Sequence, residues 1–303
     1  MKKILLLSLA FVSFACSNQA DDLLSESTSQ EIIEDFGNKK ELVDLGNGFF
    51  AEKVDDVYIF EGDMLFGYEA LLSYIEENYK EPDTSVSTRS FALKSTKKWT
   101  DATIYYTFNS NVPADFRPQI LSAMDDWSIS RGIGSMAFKP LKFIQRTNQK
   151  NYVEFIMISD SLVGGYSYTG MIGGKQQIQF SIQNTNVNTI KGIALHEIGH
   201  AIGLDHPHQA PDRDKYIKVL SENIMDQYKY AFNKKSGSIY GGFGSGLGVT
   251  NPVSSTPSIM MYSSYAFSKN GKPTITRLDN STFSANSTTI TLDDWGVISV
   301  MYK

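Results

Sequence analysis

Every histidine in this chain of 303 residues lies in one stretch, HEIGHAIGLDHPH, residues 196–208. His196 and His200 stand four apart, so on a helix they project from one face on successive turns and can share a metal ion. Glu197 projects beside them, where it can hydrogen-bond a water held at that ion. Gly203 can adopt a left-handed conformation that ends the helix and turns the chain, bringing His206 in as a third nitrogen ligand. Three protein ligands with one open, water-filled position make a catalytic zinc site. An H-E-x-x-H match arises by chance in on the order of one chain in a hundred, and the added glycine and third histidine lower that roughly a thousandfold. His208 has no part in this chemistry and is expected at the surface.

The parts imply a reaction. A zinc ion lowers the pKa of its water to about 7, and Glu197 takes the proton as that water attacks a carbonyl carbon. Zinc and a nearby donor stabilise the developing oxyanion, and Glu197 passes the proton to the leaving amine. The sequence therefore predicts peptide-bond hydrolysis without a covalent intermediate. Two rivals keep the histidines but drop the chemistry. A closed structural zinc site usually has four protein ligands, often cysteines, and the one cysteine here, Cys16, is far from the cluster. A non-catalytic protease-like binding protein is expected to lose its glutamate or a ligand, and none is lost.

Bulk properties narrow the partners. With 41% hydrophobic residues the chain can bury a core, and a formal charge of -5 without a long basic run predicts no nucleic-acid partner. The start, MKKILLLSLAFVSFACSN, has two lysines, an apolar run from Ile4 to Ala15 and then Cys16. Residues 1–15 read as a signal peptide, and the position of Cys16 resembles the lipobox of bacterial lipoproteins. Export follows: an outer-membrane or surface lipoprotein, tethered only through lipid on Cys16, or a secreted protein after processing. A lone cysteine also means no intrachain disulfide.

Residues 17–41 look like a polar spacer. VYIFEGDMLFGYEALLSYIEENY reads as a short strand, a turn at Gly62 and Asp63, and an amphipathic helix. Residues 80–98 read as an exposed linker open to a protease. From Trp99 onward, ATIYYTFN, LKFIQR, YVEFIMIS, GGYSYTG and QQIQFSI alternate as strands. ADFRPQILSAMDDWSISRG, NTIKGIALHEIGHAIG and TLDDWGVISVMYK have helical patterns, the last with Thr291 or Asp293 as its cap. Residues 236–257 are rich in glycine and serine and read as a mobile loop. Strands interleaved with helices predict an α+β domain with a mixed sheet.

These residues carry a resemblance. HEIGHAIGLDH matches the extended zinc signature of the metzincin proteases, and other stretches narrow it to the astacin family. PDRDKYI (211–217) is similar to the segment after the third histidine. PSIMMYSSYAFSKNGKPTI resembles the family's methionine turn, and FKPLKFIQRTNQKNYVEFIMI and GGYSYTGMIGGKQQIQFS resemble the strands before the zinc helix. GLDH is also similar to the matrixins, which leaves a matrixin-like metzincin protease as the alternative.

The resemblance implies a metzincin-type zincin: a mixed twisted sheet with a backing helix and an active-site helix, and an irregular C-terminal subdomain that ends in a helix. It implies one zinc ion on His196, His200 and His206, with Glu197 as the catalytic base. Met260 would pack beneath the site, and Tyr262 would be an extra zinc ligand that swings away to stabilise the oxyanion. Extended protein or peptide substrates would pair with the strand at GGYSYTG. IFEGDML resembles the family's aspartate switch, in which Asp63 occupies the open zinc position of an inactive precursor. The division implied is a signal peptide (1–15), a pro-segment (16–89) and a catalytic domain (90–303) with residues 236–257 as an inserted loop. An activating trypsin-like protease would cut after Arg89. Pro207 stands where the family has a glutamate that anchors the new N-terminus.

Overall fold

The stretches predicted as strands pair into one sheet, and its order explains how the histidine helix comes to lie at the centre. The computed structural model describes residues 40–79, 91–128, 140–159, 163–236, 239–241 and 256–303. The signal peptide, Cys16, the cut at Arg89 and most of the glycine-rich stretch lie outside the described residues. The chain begins with β1 (Glu41–Gly46), β2 (Phe49–Val54), β3 (Val57–Phe60), β4 (Met64–Phe66) and α1 (Tyr68–Asn78). Next come β5 (Phe91–Leu93), β6 (Thr103–Phe108), α2 (Arg117–Ser128), β7 (Lys142–Gln145), β8 (Tyr152–Ile158), β9 (Gly165–Ser167), β10 (Lys175–Ser181) and α3 (Ile190–Ala201). The last elements are β11 (Ile217–Val219), β12 (Ile239–Gly241), β13 (Ile275–Arg277) and α4 (Leu292–Met301).

The main sheet has nine strands in the order β1-β2-β3-β4-β9-β10-β8-β6-β7. β7, β6, β8 and β10 run parallel, and β9 is antiparallel to β10. The N-terminal strands form an antiparallel meander whose last strand, β4, lies parallel to β9 with Met64 opposite Ser167. The hairpin β1–β2 was not read from the sequence, although Gly46, Asn47 and Gly48 all take positive φ, the conformation a tight hairpin turn demands.

Helix α3 is apolar on nearly every face, the signature of a helix buried all round. It packs against α2, β9 and β10, and Trp127 of α2 donates its indole N–H to the Leu195 carbonyl (3.0 Å). Trp127 also lies against Trp295 of α4, ring centroids 5.6 Å apart. At its start Asn186 Oδ1 accepts from the N–H groups of Asn188 and Thr189, while Thr189, at the N-cap position, makes no side-chain cap bond of its own. α4 opens with a full capping box between Thr291 and Asp294.

Two expectations need correction. Within residues 80–98, read as an exposed linker, Phe91, Ala92 and Leu93 are wholly buried. β5 pairs with β12, and the Phe91 carbonyl accepts from the N–H of Asp205 (2.9 Å); three apolar residues are too short a run to register as a strand by periodicity. β12 itself falls within 236–257, so that stretch is not all loop.

Candidate metal centre

α3 presents His196 and His200 on one face with ring centroids 4.9 Å apart. Gly203, at φ +111°, then reverses the chain, and the N–H groups of Gly203 and Leu204 close on the carbonyls of His200 and Gly199. His206 arrives with its ring centroid 4.7 Å from His200 and 5.6 Å from His196. Asp63, on the turn between β3 and β4, completes the group: one ligand atom from each of Asp63, His196, His200 and His206 lies within 4.8 Å of the others. Asp63 Oδ2 is 3.3 Å from both His196 Nε2 and His206 Nε2, and Oδ1 is 3.6 Å from His200 Nε2.

The hydrogen bonds behind the rings fix which nitrogen faces the cluster. His196 Nδ1 meets the Ile259 carbonyl at 2.8 Å and His200 Nδ1 meets the Leu204 carbonyl at 3.0 Å. A carbonyl only accepts, so both Nδ1 atoms carry protons and both Nε2 atoms offer lone pairs inward. In the centre, buried Asp63 Oδ1, His200 Nε2 and His206 Nε2 lack a hydrogen-bond partner. Buried polar atoms left unpaired carry a cost unless something satisfies them, and three imidazoles with one carboxylate are the donor set for zinc. The residues fit that ion.

Glu197 is buried with Oε2 unpaired. Burial, and next the negative charge of Asp63, push its carboxyl well above the usual range. Burial opposes the charge on Asp63 as well, but the positive charge of His206 and the surrounding imidazoles outweigh it and hold Asp63 well below. Glu197 reaches this position because residue 165 is glycine: a Cβ there would sit 2.9 Å from Glu197 Cγ and from the Gln179 carbonyl. Met260 packs beneath α3 at Gly199, where any Cβ would overlap its sulfur.

Tyr262 is buried with its ring 4.6 Å from that of His206. Its hydroxyl donates to the Glu61 carbonyl, so the N-terminal segment holds the tyrosine as well as meeting the histidines. His208, expected at the surface, is fully buried. Pro207 opens a short 3-10 turn, Pro207–Gln209, that carries the chain inward. His208 then lies against Tyr262 with centroids 4.1 Å apart, and its Nε2 bonds the Ala231 carbonyl at 2.9 Å. Burial, and next the neighbouring His206, hold its imidazole well below the usual histidine range.

A buried lysine joins the N-terminal segment to the loop that carries the third histidine. Lys235 Nζ is 2.8 Å from Glu61 Oε2 and 2.6 Å from Asp205 Oδ1, and all three side chains are wholly buried. Burial opposes the lysine's charge, but the carboxylates of Asp205 and Glu61 raise its pKa regardless. Tyr74 donates to Asp205 Oδ2 (3.0 Å), and Tyr79, which accepts from Gln209 Nε2 (3.0 Å), bonds the Glu61 carboxylate. Glu61, Asp205 and His206 also stand close enough to bind a metal, but the ammonium of Lys235 is the cation there. In sequence Lys235 lies just before the glycine- and serine-rich stretch, and none of its carboxylate partners is near it in the chain.

Comparison with known proteins agrees with this geometry. Residues 91–303 match the family model Astacin, which describes a peptidase family. Protein SpAN of Strongylocentrotus purpuratus is 31% identical over 224 residues, 73% of this chain and 33% of that protein. Zinc metalloproteinase nas-12 of Caenorhabditis elegans is 32% identical over 209 residues, 69% of this chain and 47% of that protein. The chain thus spans about a third to a half of the length of these relatives. Among solved structures, High choriolytic enzyme 1, a hatching enzyme zinc-protease from the medaka Oryzias latipes, superposes with a TM-score of 0.51 at 27% identity. That superposition covers 68% of this chain and 93% of the medaka chain.

Proposed function

The chain belongs to the astacin family, and from that premise we propose that it is a zinc-dependent endopeptidase held inactive by its own N-terminal segment. The observation that carries this reading is the convergence of three histidine nitrogens and Asp63 on one buried point with Glu197 beside it. Bound there, zinc supplies a Lewis acid that makes water nucleophilic near neutral pH.

The chain's own groups do the rest. His196, His200 and His206 hold the ion, two of them oriented by backbone carbonyls. Glu197, buried beside the three histidines, takes a proton from the attacking water and returns it to the leaving nitrogen. Tyr262, once its hydroxyl leaves the Glu61 carbonyl, donates to the oxygen on which charge develops. The edge of β9 receives an extended substrate by strand addition, and in the precursor β4 takes that place. Asp63 blocks the site by sitting among the three histidines.

Substitution of the base tests the reading. Glu197→Ala, measured after activation, is expected to retain zinc by metal analysis and to lose cleavage of a protein substrate by at least about 10²-fold. Cleavage at the unsubstituted rate would sink the assignment.

A further inference from the structure

The N-terminal segment, residues 40–79, does more than deliver Asp63. It supplies four of the nine strands of the main sheet and packs a shared core with the irregular C-terminal region. Its contacts run its whole length. Lys40 donates to the Tyr166 hydroxyl at 2.7 Å, the Tyr228 hydroxyl meets Glu52, and Phe60 stacks on Tyr230 with centroids 4.9 Å apart. The Ser167 N–H donates to the Asp63 carbonyl at 3.0 Å, and at the far end the Ser236 N–H donates to the Asn78 carbonyl at 2.7 Å. Gly62 lies so close to Phe267 that a Cβ would come within 2.6 Å of the ring.

The bridge made by Lys235 is part of this joint but not of the metal cluster. Glu61 approaches His206 from the Nδ1 side, Oε2 to Nδ1 being 3.9 Å, whereas the metal donors converge on Nε2. Separating the segment would take Glu61, Tyr74 and Tyr79 away from a lysine and an aspartate that are wholly buried, on top of exposing an apolar face. Interfaces that join apolar cores in this way resemble a domain cut in half and belong to permanent complexes.

We propose that residues 40–79, after the chain is cut between Tyr79 and Phe91, stay bound to the catalytic unit as a separate inhibitory polypeptide, held by the shared core and the Glu61–Lys235–Asp205 bridge. Cutting alone then leaves the enzyme latent. Activity awaits a second event that strips or degrades the segment. The inhibitory half rests on the peptidase reading; the association does not.

The test uses the full chain carrying a site-specific protease sequence within residues 82–87, in the Glu197→Ala background so that it cannot digest itself. After complete cutting, checked by intact mass, the two pieces are expected to co-elute in size-exclusion chromatography at micromolar protein, with zinc and equally after EDTA. Separation of the pieces with zinc present would overturn the proposal, and separation only after EDTA would overturn the metal-independent bridge. Lys235→Met is expected to speed dissociation of the cut complex at least tenfold, and an unchanged rate would remove the bridge from the account. If that variant does not fold, Glu61→Gln, which lies in the segment itself, reads the same contact. With Glu197 intact, activity is expected to lag behind cutting and to follow loss of the segment; full activity while the segment is still bound contradicts the inhibition. No activity after the segment has been stripped would count against the peptidase reading and leave the association standing.

Discussion

At Gly165 one methyl group should separate binding from chemistry. A Cβ there would press on Glu197 Cγ and on the Gln179 carbonyl, each at 2.9 Å, and no histidine is among its three nearest neighbours. Gly165→Ala is therefore expected to retain zinc while kcat/KM falls by about 10²-fold, the scale set by misplacing a catalytic group by an ångström. Full activity would show that Glu197 has more room than its packing indicates, and loss of metal would put the damage elsewhere. Gly165 was not identified from the sequence as a site residue, because a glycine's close contact is visible only once its neighbour is placed. His196, Glu197, His200 and His206 were legible for the opposite reason: their geometry is set by helical spacing and one glycine turn, all within a few residues. His208 and Lys235 depend on partners contributed by distant stretches, among them Ala231, Tyr262, Glu61 and Asp205, so nothing local distinguished a buried group from a solvated one.

Among the elements, α4 acts on the metal centre without touching it. Asp294 caps its own helix through Thr291, and the same carboxylate accepts from Ser258 Oγ at 2.5 Å and from the Ile259 N–H at 3.2 Å. The Ile259 carbonyl is the group that orients His196. Thr291→Ala should therefore cost about 1 kcal/mol as an ordinary cap loss. Asp294→Ala should cost more and also weaken zinc about 10- to 100-fold, as loss of support behind a ligand does. Urea unfolding and competition with a chelating dye measure the two effects, and equal zinc affinity in both variants would disconnect α4 from the site. The helix was readable from TLDD before an apolar run, with its cap left between Thr291 and Asp293 until the structure placed Thr291 there. So were β6, β7, β8 and β10, whose alternation is local, and β9 as part of the longer stretch GGYSYTG. β5 was misread because three residues carry no period, and what makes it a strand is β12 together with the backbone of Asp205.

On the scale of the whole molecule, fold class was legible through motifs that resemble one family, but the extent of the sheet was not. Periodicity names strands without naming their neighbours, and β4 joins β9 by a single pair, Met64 with Ser167, across a long separation in sequence. That pairing also has an order in time. The meander β1–β4 lies wholly N-terminal to β9 and pairs within itself, so it is expected to form before β9 joins it. A preformed edge lowers the entropy that a late strand must lose in finding its place, and such non-local pairing is what makes sheets slow to form. The segment is thus expected to act as a template on which the rest of the sheet is built. The full chain should regain native fluorescence faster after dilution from urea than residues 91–303 alone, and equal rates would leave the segment no share in assembly. A chain that discards this template once finished would then keep a fold it can no longer easily rebuild.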